Sequence, residues 1–254
     1  MTDDPSQAHN IALYIDLENV AIGVRQARLK SFEISLVVNR LVDKGNIVVR
    51  KAYADWTGFA NYKRPLHEAG VELIDIPGGK LTGKNSADIK MVVDALELSH
   101  TKPHIDMFAL VTGDSDFSPL VAKLRENNKH IIGIGVKSST GTILIDTCDE
   151  FVFYDDLVRK PAVPEIGRLE RLPKKKRDAF ALLLDAVEAL QRENKQLFSS
   201  LLKETMKRKQ PQFNEQYHGY RSFSRLLEDA EEHKLIVLRK DERSGTYVIE
   251  EILD

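Results

Sequence analysis

Four aspartates stand where their carboxylates could act together on a phosphoryl group. Asp16 ends the apolar run IALYID, Asp114 ends the segment DMFALVTGD, Asp116 follows it, and Asp88 opens a helical segment. Carboxylates gathered without balancing bases repel one another, and a divalent cation such as Mg²⁺ or Mn²⁺ relieves that repulsion. Because such a cation polarises a phosphoryl oxygen and activates bound water, the pattern indicates phosphoryl hydrolysis.

Each of these aspartates also has a simpler structural use. Asp114 or Ser115 could cap the helix that begins near 116–117, because short side chains with an oxygen atom favour that position. Capping explains any one of the aspartates taken alone. It does not explain why carboxylates from three separate loops converge on one edge.

The elements that must position these residues alternate along the chain. Short apolar runs predict strands at 11–16, 46–55, 71–77, 106–114, 129–136 and 150–154. Helical patterns occupy the stretches near 32–44, 58–69, 86–99, 117–127 and 141–147. Continuous apolar strands separated by helices imply a mainly parallel sheet covered on both faces. We therefore predict a doubly wound α/β fold that binds its ligand at the carboxyl ends of the strands, near a switch point.

A helical wheel distinguishes the two aspartates of segment 86–99. At about 100° per residue, Asp88 shares a side with Met91 and Ala95, the apolar side that faces the core. A carboxylate there is costly unless it is paired or bound to a metal. Asp94 falls beside Lys90, where we expect a surface position.

Charge and cysteine content exclude several classes of protein. The chain has 254 residues and a formal net charge of −2, so it is not a histone-like protein defined by bulk positive charge. Its single cysteine, Cys148, excludes an internal disulfide framework and a cysteine-based zinc site. No apolar run approaches the ~18 residues of a membrane span. We expect a cytoplasmic protein without a membrane anchor.

The chain divides at a charged, proline-rich segment. PAVPEIGRLERLPKKKR has few bulky apolar residues, which is typical of a linker. We predict a disordered lead-in at 1–9, a first domain at 10–158, a linker at 159–175 and a second domain at 176–254.

Three sequence blocks of the first domain carry a family resemblance. They are YIDLENV (14–20), SADIKMVVDAL (86–96) and VTGDSDFSPLV (111–121). In order and spacing they resemble the signature blocks of NYN domains, which are PIN-like, ribonuclease-related domains that include the LabA-type bacterial proteins. The resemblance covers about residues 10–158. It implies a PIN-like, Rossmann-like fold and metal-dependent cleavage of RNA.

The resemblance also implies roles for particular residues. Asn19 matches the family's asparagine after strand one, where it would orient a ligand or hold the turn. Asp94 matches a recurrent aspartate of the second block, in competition with the surface position that the wheel predicts. Glu18 is expected to point away from Asp16, as a turn residue would. The implied acidic metal centre consists of Asp16, Asp88, Asp114 and Asp116.

Basic and aromatic residues of the first domain could contact RNA. Lys80 and Lys84 in a glycine-rich loop, and Lys137 at a strand end, could meet phosphates, although solvated surface lysines are equally expected there. Three aromatic residues after the second strand could stack on bases or simply pack against a helix. They are Trp56, Phe59 and Tyr62.

The second domain shows three helical patterns followed by two short strands. The helices are predicted at 176–190, 196–209 and 223–233, and the strands at 235–240 and 246–252. This order predicts a smaller winged-helix domain. With the phrase GYRSFSRLLEDAEEHKLIVLRK, it resembles OST-HTH, or LOTUS, domains. The resemblance implies RNA binding or, in some members, protein docking.

Candidate RNA contacts in this domain lie at the end of its second helix and before its third. The basic residues could instead complement the helix carboxyl terminus, and the tyrosine could pack. A homodimer or another protein partner is the rival use of the domain. The candidates are Lys207, Arg208, Lys209, Tyr220 and Arg221.

Together these patterns predict a metal-dependent endoribonuclease with a separate RNA-binding module. The alternative is a non-catalytic RNA-binding or regulatory protein built from the same two domains. A phosphatase of the haloacid dehalogenase type is disfavoured, because Glu18 stands where the second aspartate after Asp16 is needed. A dinucleotide-binding fold is disfavoured because no GxGxxG motif follows the first strand.

Overall fold

A computed structural model of the chain describes residues 9–76, 86–159, 169, 172–242 and 245–253. The chain forms two compact units. The first, called here the N-terminal domain, comprises Ala8–Leu41 and Gly45–Lys160. The second, called here the C-terminal domain, consists mainly of Pro161–Asp254. Within the described residues, no helix combines the length and apolar character needed to cross a bilayer.

Six parallel strands form the central sheet of the N-terminal domain, in the order β3-β2-β1-β4-β5-β6. This confirms the predicted α/β fold with a parallel sheet. The order reverses between β1 and β4, so the carboxyl ends of these two strands border the switch point. The strands are β1 His9–Asp16, β2 Gly45–Ala54, β3 Glu72–Asp75, β4 Met107–Val111, β5 His130–Gly135 and β6 Glu150–Phe153.

Helices cover both faces of this sheet. A 3₁₀ turn at Ser115–Phe117 precedes α5. All the predicted helical stretches are present, but α1 was missed because the segment after Asp16 was interpreted as a turn. The helices are α1 Leu17–Gln26, α2 Ile34–Val42, α3 Ala60–Glu68, α4 Ser86–Thr101, α5 Ser118–Glu126, α6 Thr142–Thr147 and α7 Tyr154–Val158.

Alternate residues of β1 belong to two separate cores. Leu13 and Ile15 are fully buried in a cluster with apolar residues of α1 and α2. Tyr14 points to the opposite face and packs with residues of α4 and α5, including Met91 and Leu120. Burial on both faces explains why the strand is a continuous apolar run rather than an alternating one.

The C-terminal domain contains the predicted elements in the predicted order, while its assignment as a winged helix stays a prediction. Three helices surround one apolar cluster, and an antiparallel strand pair follows them. Phe198, before the second helix, forms an isolated bridge with Val248 of the second strand. The elements are α8 Lys174–Arg192, α9 Ser199–Lys209, α10 Phe223–Glu232, β7 Ile236–Lys240 and β8 Tyr247–Ile252.

Candidate active site

Asp16 is the last residue of β1 and lies at the switch point of the sheet. Its side chain is buried, with 6% of the residue exposed. One carboxylate oxygen accepts the backbone N–H of Asn19 at 3.2 Å and so caps α1. The other accepts the hydroxyl of Thr112 at 3.0 Å. Both oxygens are therefore held in a fixed orientation at the carboxyl end of the strand.

Asn19 connects the ends of β1 and β4. Its side-chain oxygen accepts the backbone N–H of Gly113 at 2.8 Å. A Cβ atom at Gly113 would lie 2.8 Å from the carbonyl oxygen of Ser139, so only glycine fits at this approach. The contact supports the turn-holding role that the sequence left open for Asn19.

The loop after β4 presents Asp114 and Asp116. One oxygen of Asp114 accepts the backbone N–H of Asp116 at 2.9 Å and caps the 3₁₀ turn. Asp114 therefore does act as the helix cap that the sequence allowed. This cap occupies a single oxygen, and no hydrogen bond from the described residues reaches the other one. Asp114 is half-buried and Asp116 is exposed.

Charge interactions link these carboxylates to Asp88 in the first turn of α4, and we call Asp16, Asp88, Asp114 and Asp116 the acidic group. Burial, reinforced by Asp88 and Asp114, raises the pKa of Asp16 to about 7, despite the opposing hydrogen bonds from Asn19 and Thr112. Burial also raises the pKa of Asp88, and the negative charges around it raise it further. The carboxylates that act on Asp88 are Asp114, Glu18 and Asp116. Each of the four predicted aspartates is therefore close enough to at least one of the others for their charges to interact.

Glu18 interacts with this group through Asp88, and the expectation that it lies in a turn was wrong, because it belongs to a helix. Its direction relative to Asp16 stays a prediction. Glu18 lies in the first turn of α1, and its charge raises the pKa of Asp88. One of its oxygens accepts the backbone N–H of Asp55 at 2.8 Å. A helix-start signal was available, since Asp16 precedes apolar residues at helical spacing, including Leu17 and Val24.

Asp94 lies in a different environment. It is 7% exposed, so the expected surface position was wrong. Its partners are the Lys90 amine at 2.6 Å, the Tyr53 hydroxyl at 2.8 Å and the Lys51 amine at 3.3 Å. Burial raises the pKa of Asp94, but these partners outweigh it and hold the pKa below its ordinary value. Asp94 is six residues from Asp88, about 9 Å along α4.

The acidic group fits a hard divalent cation in its donor chemistry. Its side chains offer carboxylate oxygens, which Mg²⁺ and Mn²⁺ prefer, and their mutual repulsion favours a cation. The ligand set is not preassembled, however. Among the residues that the structure describes, no three histidine, cysteine, aspartate or glutamate side chains are already arranged to hold a metal ion.

Of the three lysines predicted to contact RNA in the N-terminal domain, the structure describes only Lys137. Lys80 and Lys84 lie outside the described residues. Lys137 is exposed after β5, and its amine lies 5.6 Å from the centre of the Phe153 ring.

The predicted contacts of the C-terminal domain fall into two groups. Lys207 and Arg221 are exposed. The others make contacts inside the domain: Arg208 donates to the Thr205 hydroxyl at 3.1 Å, and the Lys209 amine lies 3.1 Å from a carboxylate oxygen of Asp185. Tyr220 is 7% exposed, and its hydroxyl donates to Asp229 at 2.6 Å.

An open parallel sheet with a carboxylate cluster at its switch point is consistent with a PIN-like α/β domain. Comparison with known proteins specifies the family, because the NYN domain profile matches residues 10–155. The chain therefore belongs to the NYN domain family.

Two similar proteins have no described function. An uncharacterized protein of Methanocaldococcus jannaschii is 30% identical over 174 residues. The match covers 68% of this chain, and the chain spans only 63% of that relative's length. A solved structure of a protein of unknown function from Vibrio parahaemolyticus is 29% identical, with a TM-score of 0.53. That match covers 62% of this chain and 98% of the solved one.

Proposed function

We propose that this protein is a metal-dependent endoribonuclease, a hydrolase of RNA phosphodiesters, with an RNA-binding C-terminal module. One observation carries the proposal: a buried carboxylate, Asp16, is held at the switch point among the carboxylates of Asp88 and Asp114. Structural aspartates are normally paired with bases, as Asp94 is with Lys90. Membership of the NYN family agrees with this reading, because NYN domains are generally nucleases.

The chain's own residues define the reacting centre. Asp16, Asp88 and Asp114 would hold Mg²⁺ or Mn²⁺, with Asp116 at the exposed rim. When bound, such a cation polarises a phosphoryl oxygen and lowers the pKa of water. Thr112 and Asn19 orient Asp16 and fix the distance between the two strand ends. Water would add to phosphorus and lose its proton to a carboxylate of the cluster. The bond from phosphorus to the leaving sugar oxygen would break, and that oxygen would take up a proton from solvent to become a hydroxyl.

The C-terminal domain would supply RNA affinity through its exposed basic residues. Lys207 and Arg221 are available for phosphates, which dominate the affinity of proteins for nucleic acids. The resemblance to OST-HTH domains supports this use. The same surface could serve a second copy of the chain or another protein.

Cleavage of labelled single-stranded and hairpin RNAs with Mg²⁺ or Mn²⁺ tests the proposal. We expect products that disappear with EDTA and in an Asp16→Asn/Asp114→Asn double variant. An Asp146→Asn/Asp156→Asn variant is the matched control, because both of these aspartates are exposed in the same domain. It should cut at the native rate.

Two results would contradict the proposal. Products that persist unchanged in the Asp16→Asn/Asp114→Asn variant would come from a contaminant. Tight RNA binding that survives EDTA, with no cleavage under either metal, would support the alternative of a non-catalytic RNA-binding protein. The absence of a preassembled ligand set among the described residues is the observation that favours that alternative.

A further inference from the structure

A cleft of about 290 Å³ lies in the N-terminal domain beside α1. Its walls are the outer face of α1, the segment after that helix and the first turn of α3. We call it the aromatic cleft. Its volume is close to the lower end of the ~300–1,000 Å³ typical of small-molecule sites. The lining residues that matter here are Ile22, Arg25, Lys30, Gly58, Phe59 and Tyr62.

Two aromatic rings form one wall of the cleft. The ring centres of Phe59 and Tyr62 are 6.4 Å apart, and their planes are inclined by 41°. Both rings are only half-buried: they pack partly against the sheet core and also line the cleft. Trp56 differs, because it is 3% exposed and donates its indole N–H to the carbonyl of Ile74. Trp56 is therefore fully used in packing, whereas Phe59 and Tyr62 keep part of each ring exposed in the cleft.

Two cations also line the cleft. Arg25, in the last turn of α1, and Lys30 are both exposed. Neither forms an ion pair with any carboxylate in the described part of the chain, whereas Arg64 on α3 pairs with Glu68 at 2.8 Å. The cleft therefore combines apolar ring faces with positive charge that nothing described neutralises.

Helix α1 connects the cleft to the acidic group. Glu18, Ile22 and Arg25 are spaced i, i+4 and i+7 along α1, so they share one face over about 10 Å. The loop after β2 also links the acidic group to the cleft. Asp55 in this loop donates its backbone N–H to Glu18, and Gly58 and Phe59, a few residues further along the chain, line the cleft.

We propose that the aromatic cleft binds one nucleotide of single-stranded RNA next to the phosphodiester that the acidic group cuts. The base lies against Phe59 and Tyr62, and a neighbouring phosphate pairs with Arg25 and Lys30. Stacking on a ring face accepts any base, so this subsite selects unpaired RNA rather than a particular sequence. The inference rests on the proposed function, because the nucleotide belongs to the RNA that is hydrolysed.

The charge contribution is tested with the full chain in EDTA, using a labelled single-stranded RNA and titrations at several salt concentrations. Arg25→Ala/Lys30→Ala should weaken binding and reduce the log–log salt slope by about 1.4, since each contact with a single strand contributes about 0.7. Lys63→Ala/Arg64→Ala removes two exposed cations outside the cleft and should change binding little. Equal losses in both variants would overturn the subsite.

The stacking contribution is tested by filling the cleft. A Cβ at Gly58 meets only the carbonyl oxygen of Asp55, at 3.9 Å, so the backbone accepts the Cβ of a Gly58→Leu side chain without a clash. We expect a loss of RNA affinity of roughly 5- to 150-fold, which corresponds to the stacking of one base on an aromatic side chain. The melting temperature should not change. In the native chain, 5-iodouridine in the RNA should cross-link to Phe59 or Tyr62. Native affinity in Gly58→Leu, with cross-links only elsewhere, would overturn the subsite.

The outcomes separate this inference from the proposed function. If RNA is cut normally and the cleft variants behave as native protein, only the subsite is rejected. If cross-links map to the cleft but no metal supports cleavage, the endoribonuclease is rejected and the binding site stands. If the chain does not bind single-stranded RNA at all, both are rejected.

Discussion

The side-chain oxygen of Asn19 accepts the backbone N–H of Gly113 at 2.8 Å, across 94 positions of the sequence. This hydrogen bond joins the first turn of α1 to the loop after β4. Asp16 at the end of β1 and Asp114 in the loop after β4 are thereby kept close enough for the charge of Asp114 to raise the pKa of Asp16. Asn19 is thus a positioning residue for the acidic group.

Replacing Asn19 tests this positioning role. Asn19→Ala leaves the buried N–H of Gly113 without its partner, which should lower the free energy of unfolding by about 1–3 kcal/mol. RNA cleavage should fall by roughly 10- to 100-fold, because small misplacements of reacting groups are costly. Urea denaturation and cleavage rates measure the two effects. Gln26→Ala, at an exposed site on the same helix, is the control; unchanged cleavage in Asn19→Ala would refute the role.

The raised pKa of Asp16 predicts how stability depends on pH in the absence of metal. In the unfolded chain this carboxyl has its ordinary pKa of 3.8, against about 7 in the folded protein. Between these values the folded state binds more protons, so the free energy of unfolding falls as the pH rises. Below pH 3.8 the favourable contribution is complete, and it is lost as the pH passes about 7.

The Asp16→Asn variant isolates this effect. Because it cannot ionise at this position, its stability relative to the native protein should increase from about pH 4 to pH 7 and then level off. Each pKa unit corresponds to about 1.4 kcal/mol, so the gain is on the order of a few kcal/mol. Denaturation curves in EDTA across this range measure it. Asp146→Asn is the exposed control, and curves that run parallel for Asp16→Asn and native protein would contradict the prediction.

The two aspartates of α4 should respond differently to amide substitution. Asp88→Asn should abolish or weaken Mn²⁺ binding without lowering stability, because it relieves repulsion. Asp94→Asn should keep Mn²⁺ binding but lower the free energy of unfolding by about 1–3 kcal/mol, because Lys90, Lys51 and Tyr53 lose a charged partner. Calorimetric titration and urea denaturation separate the effects. Loss of Mn²⁺ binding in Asp94→Asn would instead place Asp94 in the metal centre.

Substitutions of the adjacent residues Tyr220 and Arg221 in the C-terminal domain should affect stability and RNA binding separately. Tyr220→Phe removes the hydroxyl that donates to Asp229, so we expect about 1.5–3 kcal/mol less stability and native RNA affinity. Arg221→Ala should keep native stability while reducing the salt slope of RNA binding by about 0.7. Thermal unfolding and RNA titrations measure both. A loss of RNA affinity in Tyr220→Phe would show that the tyrosine contacts RNA.

Local patterns were sufficient to predict most of the fold. The run IALYID has to be a doubly buried strand, because five consecutive apolar residues cannot face water on either side, and Ile11–Ile15 are all fully buried. Helix α1 was missed because its polar first turn, with Glu18 and Asn19, is typical of a loop. The cap that starts it, from Asp16 to the N–H of Asn19, becomes visible only in three dimensions.

The sequence by itself determined that Asp16 and Asp114 stand at the carboxyl ends of two strands and that Asp88 opens a helix on its inward side, because strand ends and helical faces follow from short-range periodicity. That these two strands are neighbours follows only from the order of the folded sheet. Only the tertiary structure decided that Glu18 acts on Asp88 and that Asp94 is paired with Lys90, Lys51 and Tyr53. Those outcomes depend on partners far along the chain: Asp55 is 37 positions from Glu18, and Tyr53 is 41 positions from Asp94. The direction of a carboxylate is set by the hydrogen bonds that the folded chain offers it, and periodicity carries no information about those donors.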